Sequence, residues 1–368
     1  MKIVLLSAAN NVHTVKWANG LARSGIHVHV ISLHGVTQDF DPRVSVHELP
    51  VKAPFGYFLN VFRLRKLLKQ IRPDLLNAHY ATGYGLLSVL ACQYCPNVIS
   101  LWGSDVYLFP KKSAVHSWVL NQILSRANAI FSTSLCMQNE LNDQSLAKGV
   151  PVYITPFGVN TELFKPMPVI QEHNGQRSKI VIGTVKSLKH IYGIDVLLHA
   201  FGRVVREMPE CEFELQIYGE GGEADSLAKL TAELGLSNLV FFGGFVPNIE
   251  VPNILNRFDL YVALSRSESF GVAVLEASSC ELPVLVSDAD GLCEVVSNRS
   301  TGLIVPIDDI ASTTAALKEL IMDPVKRRLY GLEGRKNVVD KYSETACIDT
   351  MIAAYKQVIS ASHHYVKT

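Results

Sequence analysis

Ser265-Arg266-Ser267-Glu268-Ser269-Phe270-Gly271-Val272-Ala273-Val274-Leu275-Glu276-Ala277, entered from the apolar run Leu260–Leu264, is the stretch on which the fold is read. An uninterrupted apolar run reads as a strand buried on both faces, and a helix directly after it is the cover that a parallel sheet needs. Gly271 opens that helix, predicted over Val272–Ser279. The backbone amides of Phe270 to Ala273 therefore lie at a helix N-terminus, where unpaired N–H groups and the helix dipole suit an anion such as a diphosphate. Glu268 sits in the loop and Glu276 about one turn into the helix, so two carboxylates flank the anion site. An ionised carboxylate accepts from both hydroxyls of a vicinal diol, which fits a sugar on one side and a ribose on the other. The plainer alternative stays open: one surface glutamate and one glutamate favoured by the helix dipole.

Outward from this unit the pattern repeats. Ile180–Thr184, Phe213–Tyr218, Leu239–Phe242 and Val284–Ser287 read as further strands, separated by helical stretches at Ile194–Glu207, Glu223–Leu234 and Ala311–Ile321. Toward the N-terminus, Ile3–Leu6, Val28–Ser32, Asp74–Ala78, Val98–Leu101, Ala129–Ser132 and Val152–Thr155 read as strands. Helices are predicted at Val15–Ser24 and Phe58–Ile71, the second stopped by Pro73. Phe164-Lys165-Pro166-Met167-Pro168 and the polar run Gln171–Ser178 interrupt the alternation and read as a linker. The predicted organisation is α/β, with two doubly wound domains at 1–165 and 179–342 and a linker at 166–178. A final helix near Ser343–Ile359, within 343–368, follows the completed second set and is free to pack elsewhere.

A hydrophobic content of 48% with 18% charged residues fits buried sheets and excludes a disordered or fibrous chain. The net charge is zero but uneven: residues 1–165 hold 15 Lys and Arg against 8 Asp and Glu. A basic first half suggests an anionic contact there. Seven cysteines scattered along the chain read as reduced thiols, and Cys92 and Cys95 form a CxxC with no second pair to complete a zinc site. No run has the roughly 18–20 apolar residues of a membrane span, and the opening apolar stretch is strand-length, so no signal peptide is read.

These residues carry a resemblance. Glu268…Glu276 resembles the E-x7-E motif of the family 4 (group 1) retaining glycosyltransferases, which have the GT-B fold, here of the bacterial polysaccharide and O-antigen type. Pro156-Phe157-Gly158-Val159-Asn160 with Phe164 is similar to that family's hinge signature. Ile182-Gly183-Thr184-Val185, Ile217-Tyr218-Gly219-Glu220-Gly221, Val240–Val246, Glu281-Leu282-Pro283-Val284, Gly291-Leu292-Cys293-Glu294-Val295-Val296 and Thr301–Pro306 resemble its remaining landmarks in order. The resemblance implies two Rossmann-like domains facing a central cleft, with a C-terminal helix crossing back to the N-terminal domain. It implies a nucleotide-sugar donor, UDP favoured over GDP, held by Gly183, Gly219, Phe245, Glu268, Glu276 and the backbone of Phe270, Gly271, Val272 and Ala273. It also implies attack by the acceptor from the leaving-group side, the departing phosphate taking the proton. For Gly219 and Gly221 a purely conformational role stays open.

The sequence departs from the family where an Arg and a Lys usually neutralise the leaving diphosphate. Ser187 and Tyr192 stand at those positions, so Lys186 and Lys189 are expected to replace them, with solvated loop lysines as the alternative. In the first half, Asn10-Asn11-Val12-His13-Thr14 stands where a Gly-Gly turn is usual. His13, His79, Trp102 and Asp105 are the candidates for the acceptor side, Trp102 by stacking and Asp105 by binding a hydroxyl or capping a helix. Asp39-Phe40-Asp41 and Asp288-Ala289-Asp290 resemble metal-binding triplets of a different glycosyltransferase fold, but no metal or cofactor is expected, and no nucleic-acid partner. The Phe62–Arg72 helix carries five cations, which reads as a solvated face or as a contact with anionic lipid. The expectation is a cytoplasmic hexosyltransferase, peripheral at the inner face of the plasma membrane, with a glycan or polyprenyl-linked acceptor. A sugar-nucleotide epimerase on the same fold and a nucleotide-sugar-binding protein without catalysis remain as alternatives.

Overall fold

Seven strands of the first half line up as one parallel sheet in the computed structural model, which describes residues 1–37, 39–167 and 179–365. The strands are β1 (Lys2–Leu6), β2 (His27–Ser32), β3 (Ser45–Glu48), β4 (Leu75–His79), β5 (Asn97–Ser100), β6 (Ala129–Ser132) and β7 (Val152–Ile154). Their order is β3-β2-β1-β4-β5-β6-β7, so the direction of winding reverses between β1 and β4. The inner strands β4, β5 and β6 are buried along their whole length, as two-sided cover requires. β3 is the strand that the sequence hides: Ser45-Val46-His47-Glu48 is an edge strand, half exposed and without an apolar run.

The second sheet comprises β8 (Lys179–Val185), β9 (Glu212–Tyr218), β10 (Val240–Gly244), β11 (Leu260–Ala263), β12 (Val284–Ser287) and β13 (Gly302–Val305). All neighbours are parallel, in the order β10-β9-β8-β11-β12-β13. The winding again reverses beside the first strand, between β8 and β11. Ligands of such sheets bind beyond the carboxyl ends of the strands at this reversal. In the helix Ile194–Glu207, the positions Ile194, Leu197, Leu198, Phe201 and Val204 are all buried, giving the apolar stripe that covers the sheet.

Two compact units result. One holds Met1–Phe157 with the C-terminal helix Glu344–Tyr365, and the other holds Gly158–Ser343. The first unit ends before 165 because Val159 already pairs inside the second, its N–H donating to Tyr342 O at 2.8 Å. Residues 168–178 of the expected linker lie outside the described residues. The C-terminal helix packs on the first unit, as expected. Tyr355 is fully buried there, its hydroxyl accepting from Asn77 Nδ2 at 2.8 Å and its ring 5.5 Å from that of Phe131. Among the described residues no helix is long and apolar enough to cross a membrane.

Candidate functional site

In the second unit the carboxyl ends of β8 and β11 bring Lys186 and Glu268 together, 82 residues apart in sequence. Lys186 Nζ lies 2.5 Å from Glu268 Oε2, and both side chains are mostly buried. The Lys186 ammonium also lies 4.5 Å over the Tyr192 ring, so the aromatic residue at the missing lysine position seats Lys186. Burial works against the Lys186 charge, but the Glu268 carboxylate outweighs it and holds the pKa above the usual lysine value. Tyr261, buried in β11, donates its hydroxyl to Val185 O at 3.2 Å and so fixes the end of β8 just before Lys186.

Gly271 has φ +103°, a conformation that favours glycine, and caps the helix Val272–Ser279. None of the described residues accepts from the amides of Gly271, Val272 and Ala273, and Val272 and Ala273 are partly exposed. Phe270 corrects one expectation. Its ring is buried edge-on against Tyr342, and its amide lies under Gly291, where a Cβ would come within 2.4 Å of Phe270 N. Of the four expected amides, those of Val272 and Ala273 belong to partly exposed residues, whereas Phe270 and Gly271 are buried. Glu276 is buried on the same helix, with Asn248 Nδ2 at 3.5 Å from its Oε1.

The remaining expectations for this unit divide. Lys189 is exposed and is not brought to Glu268. Gly183 lies inside the β8 ladder, where a Cβ would collide with the Phe258 ring at 2.1 Å, so packing within the sheet demands this glycine. Gly219, at φ +137°, permits close approach to the Lys186 carbonyl, 2.0 Å from where a Cβ would stand. It thereby positions the lysine loop. Phe245 is 68% exposed beyond β10. Arg266 went unremarked in the sequence, yet it braces the loop: its guanidinium takes both oxygens of Asp195 at 3.0 and 2.7 Å and reaches Asp308 at 2.8 Å. Its charge is thus spent on two aspartates, leaving Lys186 as the cation beside Glu268.

In the first unit, the ends of β1, β4 and β5 converge in the same way. His13, in the first turn of the helix Val12–Arg23, is placed by Asn11, whose side chain accepts from His13 N–H at 2.8 Å. His79 closes β4, and Trp102 follows β5. Ring centroids lie 5.0 Å apart for His79 and Trp102, 5.8 Å for His13 and Trp102, and 4.4 Å for His13 and Phe157. Burial pushes the His13 pKa down to about 4, with Lys16 adding to it, and that of His79 to about 3, with His13 adding to it. Both imidazoles are neutral near pH 7. Neither ring nitrogen of His79 has a partner among the described residues.

Asp105 is a further correction. It is fully buried, and its oxygens accept from the amides of Ala81, Trp102 and Gly103 at 3.1, 3.1 and 3.0 Å. Its carboxylate neither faces a hydroxyl nor caps its helix, whose N-cap is Gly103. It ties the Trp102 loop to the segment after β4 and so positions the indole. Elsewhere, Cys92 and Cys95 lie 3.5 Å apart with no metal-binding cluster among the described residues. Asp41 is taken by Arg43, and Asp288 by the amide of Ile307.

Two family signatures match, one described as glycosyl transferase 4-like over residues 2–134 and one as glycosyl transferases group 1 over residues 169–337. The chain belongs to the group 1, family 4 glycosyltransferases. This glycosyltransferase is 24% identical to the D-inositol 3-phosphate glycosyltransferase of Thermobispora bispora, over 97% of this chain and 91% of that one. Among solved structures it resembles sucrose-phosphate synthase from Thermosynechococcus elongatus, with a TM-score of 0.80 at 19% identity over 98% and 100% of the two chains. It also resembles Anabaena HepE in complex with UDP and glucose, with a TM-score of 0.77 at 19% identity over 97% and 99%. These likenesses give this glycosyltransferase the GT-B fold.

Proposed function

We propose that this glycosyltransferase moves a hexosyl unit, with retention of configuration, from a UDP-sugar to a glycan or lipid-linked glycan acceptor in cell-surface polysaccharide synthesis. A GDP-sugar is the second choice of donor. One observation carries the reading. At the sheet reversal of the second unit, the loop after β11 and the helix it enters supply unpaired amides (Gly271 to Ala273) and two carboxylates (Glu268 and Glu276), and the loop after β8 brings one cation, Lys186, onto Glu268. Amides and a lysine suit a diphosphate whose charge grows as the glycosidic bond breaks. Glu276 is assigned to the donor ribose, and Glu268, steered by Lys186, to the donor sugar. The exposed Phe245 ring is available to the base. This assignment uses no metal. The HepE structure, solved with UDP and glucose, supports a uridine donor through fold alone.

A thermal-shift screen of UDP, GDP and their sugars tests the reading. A ligand at a hundred times its Kd stabilises the protein by about 2.7 kcal/mol, so the correct donor raises the melting point by several degrees. Glu276→Ala is expected to weaken that donor about tenfold or more, as loss of a charged hydrogen-bond acceptor does. No shift with any nucleotide would remove the donor site. Product analysis with an acceptor present, by NMR of the anomeric proton, separates transfer with retention from epimerisation and from binding alone.

A further inference from the structure

The segment before the cationic helix of the first unit turns its apolar side to water. Phe55, Phe58, Leu59 and Phe62 are 72, 61, 66 and 80% exposed. Their spacing of three, four and seven residues puts them on one side of a helix. The helical path runs nearly unbroken through the short helix Gly56–Leu59 into the helix Val61–Ile71: Leu59 N–H donates to Phe55 O, Asn60 N–H to Gly56 O, and Leu64 N–H to Asn60 O.

The opposite side is anchored. Gly56 is so close to Leu33 and the Val51 carbonyl that a Cβ would come within 2.2 Å of both. Asn60 is buried and donates its side-chain amide to Val51 O at 2.8 Å and Gly56 O at 3.0 Å, and Leu64, Leu68 and Ile71 are buried beyond it. Firm seating on one side fixes the exposed phenyl groups as a ridge and excludes a collapsed loop. Along the same ridge the apolar side chains give way to Lys66 and Lys69, with Arg63 beside them. All three are exposed, and among the described residues none of them forms an ion pair.

An apolar end followed by uncompensated cations matches the depth profile of a bilayer surface, with hydrocarbon below and headgroup phosphates above. A protein groove would accept the phenyl groups without calling for three unbalanced positive charges. The excess of Lys and Arg in residues 1–165 has the same sign. We infer that Phe55, Phe58, Leu59 and Phe62 form a wedge that enters an anionic lipid surface, with Arg63, Lys66 and Lys69 against the headgroup phosphates. The inference is independent of the donor assignment and gives the lipid-linked acceptor a place to be met.

Flotation of the full chain with phosphatidylcholine vesicles, with and without phosphatidylglycerol, tests it. The wild type is expected to float with the anionic vesicles and to release as salt rises. Lys66→Glu with Lys69→Glu is expected to lower the partition at least twenty-fold, from roughly five-fold for each cation removed. Phe58→Ser with Phe62→Ser is expected to lower it about a hundred-fold. Equal binding to neutral and anionic vesicles, or a serine variant that floats like the wild type, overturns the wedge. So does a wild type that ignores vesicles but dimerises through this ridge, seen by light scattering and abolished by the serine pair. The nucleotide-induced thermal shift, read on the same variants, is expected to be unchanged. It shows that they fold and keeps a failure here distinct from a failure of the donor site.

Discussion

The two units wind their sheets in one order and reverse them at the same place, yet the groups gathered there are opposite in character. Beyond β8 and β11 stand an ion pair, a second carboxylate and bare amides. Beyond β1, β4 and β5 stand two neutral imidazoles, an indole and a phenyl ring, with the nearest carboxylate turned inward on the backbone. The topology supplies a position and leaves its chemistry to a few side chains. One unit gathers charge and bare amides, and the other gathers flat, uncharged rings, His79 and Phe157 among them buried.

That contrast can be broken most severely at the ion pair. Lys186→Met or Glu268→Gln is expected to lower kcat about a hundred- to a thousand-fold, as loss of one pre-positioned charge at a transition state does, while Lys189→Ala stays within about two-fold. Steady-state kinetics on the three variants check this, and a large loss at Lys189 would reverse the assignment of the cation. Next comes Asp105. Asp105→Ala leaves three amides, two of them buried, without an acceptor, and at about 1 kcal/mol or more for each the loss is roughly 3 kcal/mol. Thermal unfolding reads it as a fall of about ten degrees. An unchanged melting point with a raised acceptor KM would instead make Asp105 a ligand, and the first unit charged after all.

A third effect sharpens the neutrality of the first unit. In the unfolded chain a histidine titrates near 6.5, against about 4 for His13 and about 3 for His79 in the folded one. Between those values the unfolded chain binds more protons, so stability is fully present above pH 6.5 and declines as the pH falls toward 4 and below. Each histidine contributes a slope of about 1.4 kcal/mol per pH unit. His79→Phe is expected to remove its share, measured as melting temperature against pH by circular dichroism. Equal slopes in variant and wild type would mean that His79 is reached by water.

Much of the fold was legible because a strand covered on both faces is an apolar run. β6 and β12 and the helices Ile194–Glu207 and Val272–Ser279 fall where the residues place them. β3 was not, since an edge strand with Ser45, His47 and Glu48 has no such run. The expected single helix Phe58–Ile71 starts earlier and is jointed at Asn60, whose side chain is drawn to Val51 and Gly56. Of the candidate site, Glu268 and Glu276 come from a motif, and Lys186 only as one of two lysines near positions where the usual cations are missing. That Tyr192 seats the lysine, that Arg266 is consumed by Asp195 and Asp308, and that His79 stands behind Trp102 depend on strand order and loop packing. No local spacing encodes them.

The C-terminal helix gives biosynthesis an unexpected order. Tyr355 fills a seat beside Asn77 and Phe131, residues that leave the ribosome more than two hundred positions earlier. Gly158–Ser343 is continuous and can complete itself during translation. The unit whose strands are made first is therefore the last to close, its seat for Tyr355 left open until the final helix emerges.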